Sequence, residues 1–312
     1  MRIAIMGTGG VGGYYGALLA KTGQDVTFIA RGRHLQAIRE SGLQVKSVLG
    51  DLLVSPAQAT DDPVDIGPVD LILFATKTYH TDEAARLIMP MTDDRTTVVS
   101  FQNGVDAADR IGAVVGKSHV LGGVTWLSAA VEGPGVIGQY SQFRRIVLGE
   151  LDGTKTSRLE RISEVFEKAG ATVELTDDIA RVLWTKFVFI SSVSAVGSLT
   201  RVTFGEYRNV SETRALLAEA ICEVASVARS KGVTLDGDIA EKTLGFLDTS
   251  APGIKPSMQR DVEAGLVSEL ESMVGIVVRL GVELGVATPV MRFAYAMLKP
   301  GHILATQPKL QS

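Results

Sequence analysis

Through its first half the chain alternates short apolar runs, each closed by glycine or a polar cluster, with stretches of helical spacing. In the second half helical spacing stands almost alone. Residues 2–6 form a short apolar run ended by glycine, the pattern of a buried strand. Residues 14–21 read as a helix closed by Gly23, and 25–30 as a second strand. Residues 43–48 and 52–55 flank Gly50-Asp51 and predict a hairpin inserted in the sheet. Residues 69–75 (VDLILFA) and 96–101 (TTVVSF) are strand-like, each followed by a helical stretch. Such alternation implies parallel strands with helices on both faces. Further strands are expected at 119–130, 138–140 and 145–149, then an amphipathic helix at 157–168 and a last strand at 171–175. Beyond that, helices are expected at 178–196, 213–230, 238–247 and 268–284, with another after Pro289, a residue favoured at helix starts. The fold class is therefore α/β: a Rossmann-type, doubly wound, mostly parallel sheet domain over 1–176, then an all-helical domain over 177–312. The polar last few residues are expected to be disordered.

Bulk properties narrow the function. A chain of 312 residues suits two domains, each able to bury its own core. The net charge of −4 and the absence of a basic stripe argue against a nucleic-acid partner. A single cysteine, Cys222, excludes an intrachain disulfide and a clustered-thiolate metal site, and no metal is expected. It fits a reducing compartment, and a cytoplasmic location is the expectation. Arg2 and the apolar start superficially resemble a signal peptide, but six glycines between Gly7 and Gly16 would break its helical segment. No membrane span is expected; residues 182–199 come closest and carry Lys186 and several serines. None of the four histidines has a partner spacing that suggests a metal or a triad: His34, His80 and His119 read as surface or loop residues, and His302 as tail.

The first chemistry-bearing motif is Gly7-Thr8-Gly9-Gly10-Val11-Gly12, a GxGxxG that follows a strand and opens a helix. The first glycine permits the tight turn, the second lets the backbone approach a pyrophosphate, and the third allows helix and strand to pack closely. The helix N-terminus then offers free N–H groups to the phosphate. Without a ligand the same residues would be only a glycine-rich turn. At the end of the second strand an acidic residue would accept from a ribose 2′-hydroxyl and signal NAD. Arg31 stands there, with Arg33 behind it. A guanidinium binds a 2′-phosphate bidentately, so NADP (as NADPH) is the expected cofactor; two solvated surface arginines are the plain alternative.

In the second half, Val182, Leu183, Phe189 and Ile190 share a helix face with Lys186. An ammonium among apolar side chains either snorkels to water or is paired and lines a cavity. Four features in order bear on the choice: the GxGxxG, Phe101-Gln102-Asn103-Gly104 after a strand, Trp184-Thr185-Lys186, and Pro256-Ser257-Met258 followed by Glu269. Together they resemble the ketopantoate reductase (2-dehydropantoate 2-reductase) family over nearly the whole chain. The resemblance implies an oxidoreductase of pantothenate biosynthesis with Lys186 as proton donor to the substrate carbonyl oxygen and Glu269 near the reacting centre. It implies Ser257 on the substrate carboxylate, and cofactor contacts from Lys77, Asn103 and the backbone of Ala129. Read alone, Glu269 could be an ordinary helix residue and Asn103-Gly104 only a turn.

The resemblance breaks at the substrate. The family carries asparagines four and eight residues after the lysine, where this chain has Ile190 and Ser194, and a third that falls near Phe204. These side chains cannot hold a hydroxyl as asparagine does. Three functions follow. The first is NADPH-dependent reduction of a 2-oxo acid to a 2-hydroxy acid, ketopantoate to pantoate above all, with Asn103, Ser257, Ile190 and Ser194 at the substrate. The second is reduction of a related apolar 2-oxo acid, or another hydroxyacid dehydrogenase activity. The third is a non-catalytic NADP-binding sensor. A small-molecule partner is expected, with no nucleic acid and no membrane. Helical second domains of this type often pair, which makes a homodimer an expectation. For Lys186, burial and Glu269 push the pKa in opposite directions.

Overall fold

Alternation along the first strand, β1 (Arg2–Met6), feeds two separate cores: Ile3 and Ile5 enter one, Ala4 and Met6 the other. A strand with both faces covered is apolar at every position, which is why this run lacks a polar face. The computed structural model describes residues 1–307, and the expectation for the last few residues lies outside that range. Its chain forms two units, residues 1–102 with 106–180, and residues 103–105 with 181 onward. The break after Ala180 is four residues later than the pattern suggested, and the Asn103–Val105 segment counts with the helical unit.

The first unit is built on an eight-stranded sheet. Its strands are β1, β2 (Asp25–Ile29), β5 (Gln58–Thr60), β6 (Leu71–Phe74), β7 (Thr97–Ser100), β8 (Val120–Trp126), β11 (Arg145–Glu150) and β12 (Thr172–Leu175). The order is β12-β11-β8-β7-β6-β1-β2-β5, parallel except where β11 meets β8. Helices α1 (Gly10–Lys21) and α5 (Ser157–Lys168) bury Tyr15, Leu19, Leu159, Ile162 and Phe166 in the core that holds Ile3 and Ile5. Helices α3 (Thr81–Leu87) and α4 (Ala107–Val115) bury Ala84, Ala85 and Ile111 in the other. Each fully buried aliphatic or aromatic side chain contributes about 1.5–3 kcal/mol. The doubly wound arrangement inferred from the sequence is thus the one observed.

The hairpin is not inserted in this sheet. Strands β3 (Leu43–Ser47) and β4 (Leu52–Val54) pair in a second, four-stranded sheet with β9 (Ala129–Gly133) and β10 (Val136–Gln139), in the order β4-β3-β10-β9. Leu43 and Val45 are buried while Gln44 and Lys46 are exposed. Such one-faced strands do not suit a sheet covered on both sides. The run 119–130 divides for the same reason: β8 stays in the main sheet, and the chain passes through Leu127 and Ser128 to begin β9 in the other. Helix α2 (Gly32–Ser41) went unseen because only Leu35 and Ile38 mark its inner face.

The second unit is helical: α6 (Ile179–Thr200), α7 (Phe204–Tyr207), α8 (Ser211–Ser230), α9 (Ile239–Thr249), α10 (Ser257–Glu263), a π turn at Glu271–Gly275, α11 (Ile276–Leu284) and α12 (Pro289–Thr306). Helix α6 is long and apolar enough to cross a membrane by length and composition. In this structure it buries Trp184, Phe187, Val188, Val193, Ala195 and Val196 in the core of this unit. At the start of α12 the backbone N–H groups of Val290 and Met291 donate to Glu223 at 2.8 and 2.9 Å, so a carboxylate caps that helix.

Beside α5, Glu150 is buried and accepts from Arg158 Nε at 2.7 Å and from the hydroxyl of Thr156, the N-cap residue. Burial pushes its pKa up, but these donors prevail and the net shift is downward. A carboxylate with a depressed folded pKa adds stability that is present above its unfolded value and is lost as pH falls through the folded one. We expect Glu150→Gln to destabilise the protein by about 1.5–3 kcal/mol at pH 7 and much less near pH 3. Urea denaturation at the two pH values checks this, and an equal loss at both would show that the charge is immaterial.

Candidate cofactor and catalytic site

The glycines of the loop between β1 and α1 have separable tasks. Gly7 has φ +98°, a conformation that side chains disfavour, and a Cβ there would sit 2.8 Å from the backbone nitrogen of Thr76. A Cβ on Gly12 would lie 2.2 Å from the Gly7 carbonyl oxygen, against β1. Gly9 has nothing within 4 Å of its Cβ position. The first and third glycines are therefore filled by the fold, and the second faces open space where a phosphate can approach the backbone. Gly10 lies against Ala129, whose carbonyl oxygen would be 2.4 Å from a Cβ. The backbone that the resemblance marked at Ala129 thus borders the loop. Thr8 is buried and its hydroxyl donates to the Ile29 carbonyl at 2.9 Å, tying the loop to the end of β2; Val11 packs against the core under α1.

His34 is a contact to the loop that the sequence did not reveal. Expected at the surface or in a loop, it lies in α2 and bridges the loop to the β9–β10 turn. Gly135 N–H donates to its Nδ1 at 3.0 Å, which leaves Nε2–H to donate to the Thr8 carbonyl at 2.8 Å. No spacing signals this role, because the three residues meet only through the fold.

Arg31 is the N-cap residue of α2, at the end of β2 as required, and is exposed. Its guanidinium is not free: it lies 3.2 Å from Glu83, which also approaches His80 Nδ1 at 3.3 Å. Lys77 follows β6 and caps a short 3₁₀ turn. Gln102, buried after β7, donates to the Thr76 carbonyl and the Thr81 hydroxyl at 2.9 Å each, joining two strand ends. Ligands bind at such carboxyl ends in open α/β sheets.

In the helical unit the structure brings three of the expected residues together. Lys186 Nζ donates to Asn103 Oδ1 at 3.1 Å, and the Glu269 carboxylate acts on the same ammonium. Burial strips water from Lys186 and lowers its pKa to about 8, against the opposing pull of Glu269. Glu269 is itself buried. Asn103, marked as a cofactor contact, is thus also a direct partner of the lysine. Ile190 is partly buried one turn beyond Lys186. Ser194 is fully buried with no hydrogen-bond partner for its hydroxyl. Phe204 is core, edge-on to Phe189 and Tyr207. Ser257 is the first residue of α10 and half-buried.

A Rossmann-type loop shaped for a dinucleotide and a desolvated lysine beside a carboxylate define the class as an oxidoreductase of the nicotinamide type. The family follows from two matches, "Ketopantoate reductase PanE/ApbA" over residues 3–153 and "Ketopantoate reductase PanE/ApbA C terminal" over residues 178–302. The chain belongs to the ketopantoate reductase family. It is 30% identical over 320 residues to the 2-dehydropantoate 2-reductase of Mesorhizobium japonicum, covering 96% of this chain and 97% of that one. A crystal structure of a PanE/ApbA family ketopantoate reductase from Ralstonia eutropha is similar with a TM-score of 0.91 and 30% identity, over 98% of this chain and 100% of the other. D-mandelate dehydrogenase with NADH and anilino(oxo)acetate shares the fold, with a TM-score of 0.90 at 23% identity over 98% of this chain and all of that one.

The glycine geometry makes a contrast measurable. Gly9→Ala should leave the melting temperature within about 3 °C of wild type while weakening nicotinamide-nucleotide binding at least tenfold; Gly12→Ala should lower stability itself by about 2 kcal/mol or more. Thermal melts and a fluorescence titration of both variants decide it, and a destabilised Gly9→Ala would contradict the open-space assignment.

Proposed function

We propose that this protein uses NADPH to reduce a 2-oxo acid to the 2-hydroxy acid, with ketopantoate the leading substrate. The observation that carries the reading is the desolvated Lys186 held by Asn103 and opposed by Glu269. The open approach at Gly9, the N-terminus of α1 and Arg31 support a nucleotide bearing a 2′-phosphate. When bound, the nicotinamide supplies a hydride to the carbonyl carbon. Lys186 then gives a proton to the carbonyl oxygen as negative charge builds there, the role of a general acid. Asn103 accepts from the ammonium and so fixes its direction, and Glu269 favours the protonated form that the step consumes. Ser257, the family's carboxylate-binding position, is the proposed anchor for the acid group, with Lys77 and the Ala129 backbone on the cofactor.

A second reading has its own observation. Ile190 presents an apolar, partly buried side chain one turn from Lys186, and Ser194 and Phe204 are taken into the core. This favours a 2-oxo acid whose side chain is alkyl rather than hydroxylated, because a desolvated hydroxyl without a partner costs about 1–3 kcal/mol.

With an acid of pKa about 8, kcat/KM should be level below pH 7 and fall about tenfold per pH unit above 8. Lys186→Ala should lower kcat by about 10²–10⁴-fold, abolish that limb and leave the NADPH dissociation constant within about twofold. Near-normal turnover in the variant would remove the lysine from the chemistry. Arg31→Ala should weaken NADPH about tenfold, or roughly 1.4 kcal/mol, and NADH hardly at all. Equal affinity of the wild type for the two nucleotides would defeat the choice of NADPH. Comparing kcat/KM for ketopantoate and its analogue with hydrogen in place of the hydroxyl separates the two substrate readings. Ketopantoate ahead by more than about tenfold supports the first, and the analogue ahead supports the second.

A further inference from the structure

The turn that carries Glu269 is fastened to α6 at a point removed from Lys186. The Glu269 carbonyl accepts from Met273 N–H at 2.9 Å and from the Ser272 hydroxyl at 3.2 Å, so residues 269–273 form one hydrogen-bonded unit. The chain winds through it as a π turn, Glu271–Gly275, before α11 resumes regular winding. Such turns are rare inside helices and frequently fall at functional sites. At its middle the Ser191 hydroxyl donates to the Met273 carbonyl oxygen at 2.6 Å, with both residues buried to within 1%.

Ser191 follows Lys186 by five residues on α6, and Met273 follows Glu269 by four. The two segments are therefore linked twice, by the charge pair and, one step along, by a neutral hydrogen bond. The second link has no water to compete with it. Its neighbours show that it is not a general habit of serines on this helix: Ser192 and Ser194 are equally buried, and their hydroxyls have no hydrogen-bond partner.

We propose that Ser191 is a positioning residue: its bond to the π turn sets the register of residues 269–273 on α6 and thereby the distance of the Glu269 carboxylate from Lys186. The inference rests on Lys186 as the proton donor. Without the bond, Glu269 draws away. The ammonium keeps its desolvation and loses its compensating charge, since Asn103 is neutral, so it releases its proton at lower pH. A role in folding alone would lower stability and leave the titration where it was.

The test is to titrate Lys186 by NMR in the full-length protein labelled with ¹⁵N-lysine, the signal assigned by its absence in Lys186→Ala. Ser191→Ala should titrate lower by about half a pH unit or more, an equilibrium change of about threefold. Its kcat/KM above pH 8 should fall by a similar factor, with NADPH affinity unchanged. Ser191→Thr, which keeps the hydroxyl, should match wild type. So should Ser192→Ala, which removes the same atom where it has no partner. A wild-type titration in Ser191→Ala, or an equal shift in Ser192→Ala, would overturn the proposal. Should Ser191→Ala fail to accumulate, Ser191→Cys, a weak donor, is expected to shift in the same direction, and an unshifted signal there would overturn it equally. The NMR result does not depend on turnover. Normal activity in Lys186→Ala would remove the proton-donor reading by itself and leave the titration to judge Ser191.

Discussion

An ammonium group drawn out of water is the constraint around which the helical unit is arranged. Moving Lys186 among apolar side chains disfavours its charge, and only a nearby carboxylate and a hydrogen-bond acceptor hold that charge in place. Asn103 supplies the acceptor and Glu269 the carboxylate. The outcome is a lysine whose pKa of about 8 leaves it mostly protonated at neutral pH and willing to part with the proton. An exposed lysine near 10.5 would hold its proton too firmly to serve as an efficient acid. Lys186 sits on the long apolar α6, so one element carries both core packing and the residue proposed as the proton donor.

The sheet unit answers a different demand, close approach to a dinucleotide. Three glycines in one loop do three things: one takes a positive φ, one leaves space, and one lets α1 lie on β1. Thr8 and His34 then hold the loop by its backbone, from β2 and from α2. A loop so fastened loses little further freedom on binding, which is how a scaffold raises affinity without added contacts. Arg31 is already engaged by Glu83, so a 2′-phosphate would exchange one anionic partner for another at an exposed site. Exposed ion pairs of this kind are weakened by solvent screening, so the exchange is open to a better-charged competitor.

How much was legible in the sequence follows from which forces are local. The GxGxxG, the buried strands and α5 were readable because period and glycine placement are set by residues near in sequence. The helix at 157–168 fell on its observed bounds, with Thr156 as its N-cap. The sheet to which β3, β4 and β9 belong was not readable, because membership depends on which face another part of the chain covers. Helix α2 carried too small an apolar stripe, and His34 gave no signal, since Thr8 and Gly135 reach it only in three dimensions. At the site, the Lys186–Asn103 contact joins positions 83 residues apart. Each residue was marked through resemblance, but their contact was not, because no local pattern carries it. Ser194 and Phe204, considered as substrate positions, are both buried, which depends on packing that the local sequence does not display.

The central claim is that a hydride moves from NADPH to the carbonyl carbon of a 2-oxo acid while Lys186 supplies the proton. The most direct measurement uses NADPH carrying deuterium at C4, a panel of 2-oxo acids that includes ketopantoate, and mass spectrometry of the products. The account predicts one deuterium at C2 of a 2-hydroxy acid with the wild-type enzyme and a large loss of its formation rate in Lys186→Ala. A wild-type protein that binds NADPH yet transfers deuterium to no member of the panel would contradict it.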